Sequence, residues 1–206
     1  MKRIVVATGN AHKVREIGEI VAETGFSVPM VSMKEAGIEA DIVEDGETFE
    51  ENALCKVRAV RGALDARGEG ADTVVLADDS GLVIDALNGE PGIHSARYLG
   101  EETPHAEKNR DILRRMRDVP EEARSARFVC AVALSFPDGE EKTVRGVMEG
   151  RIAHETKGTN GFGYDPVFFL PERNCTNAEL APEEKNRISH RGKAFREAVL
   201  LLQSKN

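Results

Sequence analysis

The chain has 206 residues, 40% hydrophobic and 5% aromatic with no tryptophan, which suits one domain with an aliphatic core, divisible into two lobes, and excludes a disordered chain. Its 28 Lys and Arg stand against 36 Asp and Glu, a net charge of −8; that argues against broad binding to nucleic acid or an anionic membrane, while leaving room for a small anion held by a few placed cations and a metal. Cys55, Cys130 and Cys175 show neither zinc spacing nor a disulfide framework, no apolar run approaches ~18 residues, and the N-terminus runs straight into a strand, so a soluble cytoplasmic protein is expected.

Lys2–Ala7 reads as a strand ending in Thr8-Gly9-Asn10, followed by a helix from Ala11 to Glu23 with Val14, Ile17 and Val21 on one face. Val28–Val31 reads as a short strand, and 37–46 as acidic and irregular. Thr48 and Glu51 have capping-box spacing. The helix they open carries the stripe Phe49, Ala53, Val57, Val60 and Leu64, with Asn52 and Lys56 bordering it one turn apart. The β-branched run from Thr73 to Ala77 predicts a buried strand, with Asp78-Asp79-Ser80-Gly81 as the loop at its C-terminal end and Leu82–Ala86 as a return strand. Asn88-Gly89 predicts a turn, and Thr103-Pro104 a helix to Asp118 with proline first and Ile112, Leu113 and Met116 facing in. Ser125–Phe136 alternates Phe128, Cys130, Val132, Leu134 and Phe136 on one face, and Pro137-Asp138-Gly139 turns it into a second strand through Ile152. A Gly-rich stretch at 157–166, a short strand at Val167–Leu170, a helix over Pro182–Ser189 and a last helix over Gly192–Leu202 complete the pattern. Strand–helix alternation early and a long hairpin late favour a mixed twisted sheet flanked by helices.

Four segments carry groups that could do chemistry. Thr8-Gly9-Asn10-Ala11-His12-Lys13 joins a strand to a helix, where backbone N–H groups and Lys13 suit a phosphate, although an ordinary connecting loop looks the same; it lacks the P-loop and dinucleotide glycine patterns. Asp78 and Asp79 are paired carboxylates that suit a hard cation such as Mg²⁺, or a turn rich in Asp, Ser and Gly. Glu44 lies in an acidic run before a helix, solvated or able to share a metal with Asp79 if the two loops converge. Phe162, Gly163, Tyr164 and Asp165 place two rings in a flexible loop suited to stacking on a base, or to anchoring a turn. Lys185, His190 and Arg191 offer donors to base oxygens or phosphates, or a polar surface between helices. His94, His105 and His154 have no pairing that suggests zinc. Together these are the parts of a nucleotide site.

The chain resembles the inosine/xanthosine triphosphate pyrophosphatases. The resemblance is carried by Thr8-Gly9-Asn10-x-x-Lys13, Glu44-x-Gly46-x-Thr48-Phe49-x-Glu51-Asn52-Ala53, Ala77 to Leu82, Pro91-Gly92-x-x-Ser95-Ala96-Arg97-Tyr98, Gly161 to Pro166, and Glu184-Lys185-x-x-Ile188-Ser189-His190-Arg191, in family order. It implies an elongated twisted mixed α/β sheet with flanking helices, two lobes around a substrate cleft, a single pyrophosphatase domain over 1–206, and usually a homodimer. It implies Mg²⁺-dependent hydrolysis of dITP, ITP, XTP and dXTP to monophosphate and pyrophosphate, with no nucleic-acid or membrane partner. By the same resemblance Thr8 to Lys13 contact the triphosphate, Glu44 and Asp79 serve the metal, and Asp79 is the base. Ser80 touches substrate, Phe162 to Asp165 line the nucleoside pocket, and Lys185, His190 and Arg191 read the base and hold the nucleotide. Asn52, Lys56 and Asp78 lie near the centre. Asn160 departs from the glycine the family often has there. A pyrophosphatase acting on modified pyrimidine nucleotides and a non-hydrolysing nucleotide sensor are the alternatives; Asp78 and Asp79 argue against the sensor.

Overall fold

The structure, a computed structural model, describes residues 1–205 and, within them, all side chains except that of Ala11. A seven-stranded sheet has the order β2-β1-β3-β4-β5-β6-β7. Its strands are β1 (Arg3–Val6), β2 (Met30–Ser32), β3 (Thr73–Ile84), β4 (Ser125–Ser135), β5 (Glu141–Ile152), β6 (Phe168–Leu170) and β7 (Cys175–Thr176). The helices are α1 (Ala11–Glu23), α2 (Phe49–Ala66), α3 (His105–Arg115), α4 (Pro182–Ile188) and α5 (His190–Ser204). β1 runs parallel to both neighbours, Val5 lying opposite Val31 and Val75, whereas β6 and β7 pair antiparallel. The sheet is therefore mixed, as the alternation of elements predicts. Among the described residues no helix is long and apolar enough to cross a membrane.

The chain divides into two compact units. The first comprises Met1–Asp79, Cys130–Gly146 and Arg191–Asn206, the second Ser80–Val129 and Val147–His190. The first unit is a sheet covered by helices on both faces. Ile4, Val6, Val74 and Leu76 pack with Ile17, Ile20 and Val21 of α1 and with Phe195, Ala198 and Val199 of α5. Their sequence neighbours Val5, Ala7, Val75 and Ala77 pack with Ala53, Val57, Val60 and Leu64 of α2. Side chains alternate along a strand, so a strand covered on both faces becomes a continuous apolar run, and Thr73–Ala77 is one. The second unit has its own core, built on Leu82, Ile84, Ile112, Phe128, Tyr164 and Phe168.

Several expectations need correction. Asp78-Asp79-Ser80-Gly81 is not a loop and Leu82–Ala86 is not a return strand, because β3 continues unbroken for 12 residues through both aspartates. Turn-like composition is overridden there by buried partners for each carboxylate. Ile20 joins the buried face of α1, while Val14 is only half-buried. Pro104 is the residue capping α3, with extended backbone, rather than its first helical residue. β4 is buried on both faces, and α5 begins at His190. The two-residue β7 has no counterpart in the sequence reading; it is too short to show a period.

Candidate functional site

In the first unit the two aspartates of β3 point to opposite faces, and each meets a different set of cations. Asp78 follows Val74 and Leu76 onto the α1/α5 face. It is completely enclosed, 2.9 Å from Lys13 Nζ and 3.6 Å from the Arg191 guanidinium. Arg191 in turn donates 2.5 Å to Glu16, one turn beyond Lys13 on α1. Burial pushes the Asp78 carboxyl up, but Lys13 and Arg191 outweigh it and hold the group far below the usual carboxylate range. Burial likewise works against charge on Arg191, while Glu16 and Asp78 raise its pKa.

Asp79 follows Val75 and Ala77 onto the α2 face. Lys56 Nζ lies 3.0 Å from Asp79 Oδ1 and 3.0 Å from Glu44 Oε2, and donates 3.2 Å to the Asp78 carbonyl. The acidic segment and β3 therefore converge on a single ammonium. Asn52, one turn before Lys56, donates 3.4 Å to Asp79 Oδ2 and accepts the Gly46 N–H at 2.9 Å. The Thr48–Glu51 capping box fixes the same segment at the start of α2. A Cβ on Gly46 would come within 2.6 Å of the Glu51 Cβ and 2.9 Å of the Asn52 backbone, so glycine lets the chain carrying Glu44 lie against α2. Burial raises the Asp79 pKa, and Lys56 offsets this only in part. Burial opposes charge on Lys56, but Asp79, Asp78 and Glu44 together raise its pKa.

Thr8, Gly9 and Asn10 link β1 to α1. The Asn10 side chain caps the helix by accepting the N–H groups of His12 and Lys13 at 3.0 and 3.2 Å, and Thr8 Oγ1 accepts the Asn10 N–H at 3.2 Å. Gly9, Asn10 and His12 are exposed. Ala11 opens the helix, and its side chain lies outside the described residues.

The second unit gathers the remaining residues expected at the site. Ser80, half-buried, follows Asp79 on β3. Asp165 is buried, and its Oδ2 accepts the Phe162 N–H at 2.9 Å and the Lys185 ammonium at 2.8 Å. Lys185 Nζ stands 4.9 Å from the centroid of the half-buried Phe162 ring, within cation–π range. Gly161 and Gly163 have φ of +71° and +68°, a region that favours glycine. Tyr164 is a core residue: its hydroxyl donates 2.7 Å to the Ser95 carbonyl and its ring meets His105 edge-on. His190 is buried and stacked on Phe128 at 4.8 Å. Asn160 ties the glycine-rich loop down, its N–H to the Ala178 carbonyl at 2.9 Å and its amide to the Leu180 carbonyl at 3.0 Å.

The expected residues thus form two constellations. Lys13, Glu44, Asp79 and Arg191 belong to the first unit, and Phe162, Tyr164, Asp165, Lys185 and His190 to the second. Of the consecutive residues His190 and Arg191, the first stacks on Phe128 and the second pairs with Glu16 and Asp78. Sequence reasoning missed Glu16 and Asn177. Glu16 sits beside Ile17 on the buried side of α1, where an acid spaced three residues from Lys13 is the available signal. Asn177 has no local signal.

The Ham1 family model matches residues 4–200. The dITP/XTP pyrophosphatase of Geobacillus kaustophilus is 49% identical over 195 residues, covering 95% of this chain and 91% of that relative. The dITP/XTP pyrophosphatase of Bacillus subtilis is 44% identical over 204 residues, covering 99% and 98%. The solved Ham1 protein of Staphylococcus aureus superposes with a TM-score of 0.85 at 38% identity, covering 100% of both chains.

Proposed function

The chain belongs to the Ham1 family, and we propose that it hydrolyses deaminated purine nucleoside triphosphates, dITP, ITP, XTP and dXTP, to the monophosphate and pyrophosphate. The observation that carries this reading is kinship over almost the whole chain with proteins named dITP/XTP pyrophosphatase. The geometry supports the assignment of roles.

The first unit serves the triphosphate. Glu44 and Asp79 would hold Mg²⁺. They fit that ion because two hard oxygen donors already converge on one cation, the Lys56 ammonium. Mg²⁺ commonly uses one or two carboxylates and takes its other ligands from water and phosphate, a role that the Glu44 and Asp79 pair could fill. Bound there, the ion would neutralise phosphate charge. Asp79 accepts the proton of a water that attacks the α-phosphorus, and Lys56 holds that carboxylate in place. Lys13 and the Thr8–His12 segment bind phosphate, and Asp78 with Arg191 fixes Lys13. These are positioning and electrostatic contributions, as in phosphoryl transfer generally.

The second unit serves the nucleoside. Phe162 offers a ring face to the base, and Lys185 and His190 offer donors to a 6-oxo group. Adenine presents a 6-amino donor instead, and leaving a buried donor unpaired costs about 1–3 kcal/mol. The enzyme is therefore expected to reject ATP strongly. We extend the proposal to a cytoplasmic homodimer, which the family resemblance supports and sedimentation can check.

The test is turnover of ITP, XTP, dITP, GTP, ATP and modified pyrimidine triphosphates with and without Mg²⁺, with products quantified. Monophosphate and pyrophosphate in equal amounts, from the deaminated purines and with Mg²⁺ present, is the expected result. Diphosphate with orthophosphate, or preference for a pyrimidine, would overturn the reading.

A further inference from the structure

Asn177 is completely buried, 0% exposed, at the start of a short turn between β7 and α4. Its amide donates 2.6 Å to Asp165 Oδ1. The opposite oxygen of that carboxylate, Oδ2, holds the Phe162 backbone and the Lys185 ammonium. Any rotation of the Asp165 carboxylate therefore moves the ring and the charge together. Asn177 grips the far oxygen and blocks that rotation.

Two observations set this contact apart from ordinary packing. The carbonyl oxygen of the Asn177 side chain is buried and has no hydrogen-bond partner among the described residues. An unpaired buried acceptor lowers stability, so the gain from this asparagine lies in its donor end. Turning the amide over would set two oxygens against each other at 2.6 Å. The backbone around Asn177 is also fixed from both sides. Thr176 caps the turn with Glu179 and donates 2.8 Å to the Lys157 carbonyl, and the Ala178 carbonyl accepts the Asn160 N–H. Gly158 lies so close that a Cβ there would fall 2.3 Å from the Ala178 carbonyl. The segment 176–180 is a bracket under the glycine-rich loop.

We propose that Asn177 is a positioning residue for base selection: by locking Asp165 it presents Phe162 and Lys185 to the purine in one arrangement. This rests on the assignment of the Phe162–Asp165 loop to the nucleoside. Asn177 acts on substrate only through Asp165, so its loss falls on recognition of the base more than on the phosphoryl step.

The experiment is steady-state kinetics of Asn177→Ala and of Asn177→Ser, whose hydroxyl can still donate, with ITP and ATP, alongside thermal unfolding. The expected result for Asn177→Ala is a KM for ITP raised about tenfold, the scale of one hydrogen bond to a charged group. kcat falls far less, and the ITP-to-ATP preference in kcat/KM narrows. Asn177→Ser shows the same pattern more weakly, and carries the test if the alanine variant does not fold. A lower melting temperature with KM and the ITP-to-ATP preference both unchanged would mean that Asn177 is merely structural, and would overturn the inference. A wild-type enzyme inert toward ITP but active on another base would overturn the functional reading instead, and is measured first.

Discussion

The two units solve the problem of placing polar groups in an apolar interior differently. The first uses opposed charges: Asp78 between Lys13 and Arg191, and Asp79 with Glu44 around Lys56, set on the two faces of one strand. The second uses hydrogen bonds that tie a glycine-rich loop to a neighbouring segment, some between neutral amides and carbonyls and others converging on the Asp165 carboxylate, which also pairs with Lys185. Charged clusters are suited to meeting a triphosphate and its metal. Laced loops hold flat surfaces and donors at fixed positions, which discriminating one base from another requires. A divided molecule of this kind makes its variants fall into two groups.

The largest effect is expected for Asp79→Asn. Shape is kept, but the proposed base and metal ligand loses its charge, so kcat should fall at least ~10²-fold while the thermal transition stays cooperative. Near wild-type turnover at saturating Mg²⁺ would remove Asp79 from the chemistry. Arg191→Ala leaves Glu16 and Asp78 buried without their shared partner. Breaking a buried ion pair from one side costs about 3–5 kcal/mol, to be read by denaturant unfolding. Stability within about 1 kcal/mol of wild type would show that the network contributes little beyond one surface-like pair. The same variant sharpens the comparison between units: if it narrows the ITP-to-ATP ratio, Arg191 reads the base despite lying in the first unit.

Lys56→Met tests the shared cation. In metal-free buffer Glu44 and Asp79 then face each other unscreened and the melting temperature should drop. Added Mg²⁺ should restore part of the loss, and an equal drop with and without Mg²⁺ would speak against a metal between these carboxylates. Glu44→Gln is expected to shift the Mg²⁺ titration of activity to higher concentration, and an unchanged titration would place Glu44 outside the metal site. The smallest effect belongs to Asn160→Gly in the second unit. One amide hydrogen bond is lost, about 0.5–1.5 kcal/mol, with the phosphate chemistry untouched; a large fall in kcat would break the division of labour.

The same contrast governs what could be read from the sequence. The α2 capping box and its apolar stripe are local patterns, and the structure reproduces both. The continuous apolar run of β3 was legible as a buried strand, but its end was not. Asp-Asp-Ser-Gly has the composition of a turn, but it lies in a strand between β1 and β4 and its carboxylates are paired by Lys13, Lys56 and Arg191, the last more than 100 positions away in the chain. Glu44 could be suspected of meeting Asp79, yet it takes the Lys56 ammonium between them, and Asn52 bridging Gly46 and Asp79, to show that the segments converge. In the second unit Asn177 was invisible, because a buried amide bonded to Asp165 leaves no period and no spacing, although Thr176 and Glu179, which cap its turn, have the same capping-box spacing as Thr48 and Glu51. For Tyr164 the sequence left open a stacking ring or an anchor of the turn, and the structure shows the anchor: its hydroxyl donates to the Ser95 carbonyl and its ring belongs to the core.

The central claim, that chemistry belongs to the first unit and base recognition to the second, is tested most directly by one paired kinetic measurement. kcat and KM for ITP are determined for Asp79→Asn and for Phe162→Ala under identical Mg²⁺. The expected result is a collapse of kcat in the first, with ITP affinity by calorimetry largely kept. The second should show a raised KM with most of kcat retained. The account is contradicted if Phe162→Ala loses kcat as deeply as Asp79→Asn while its KM stays at the wild-type value.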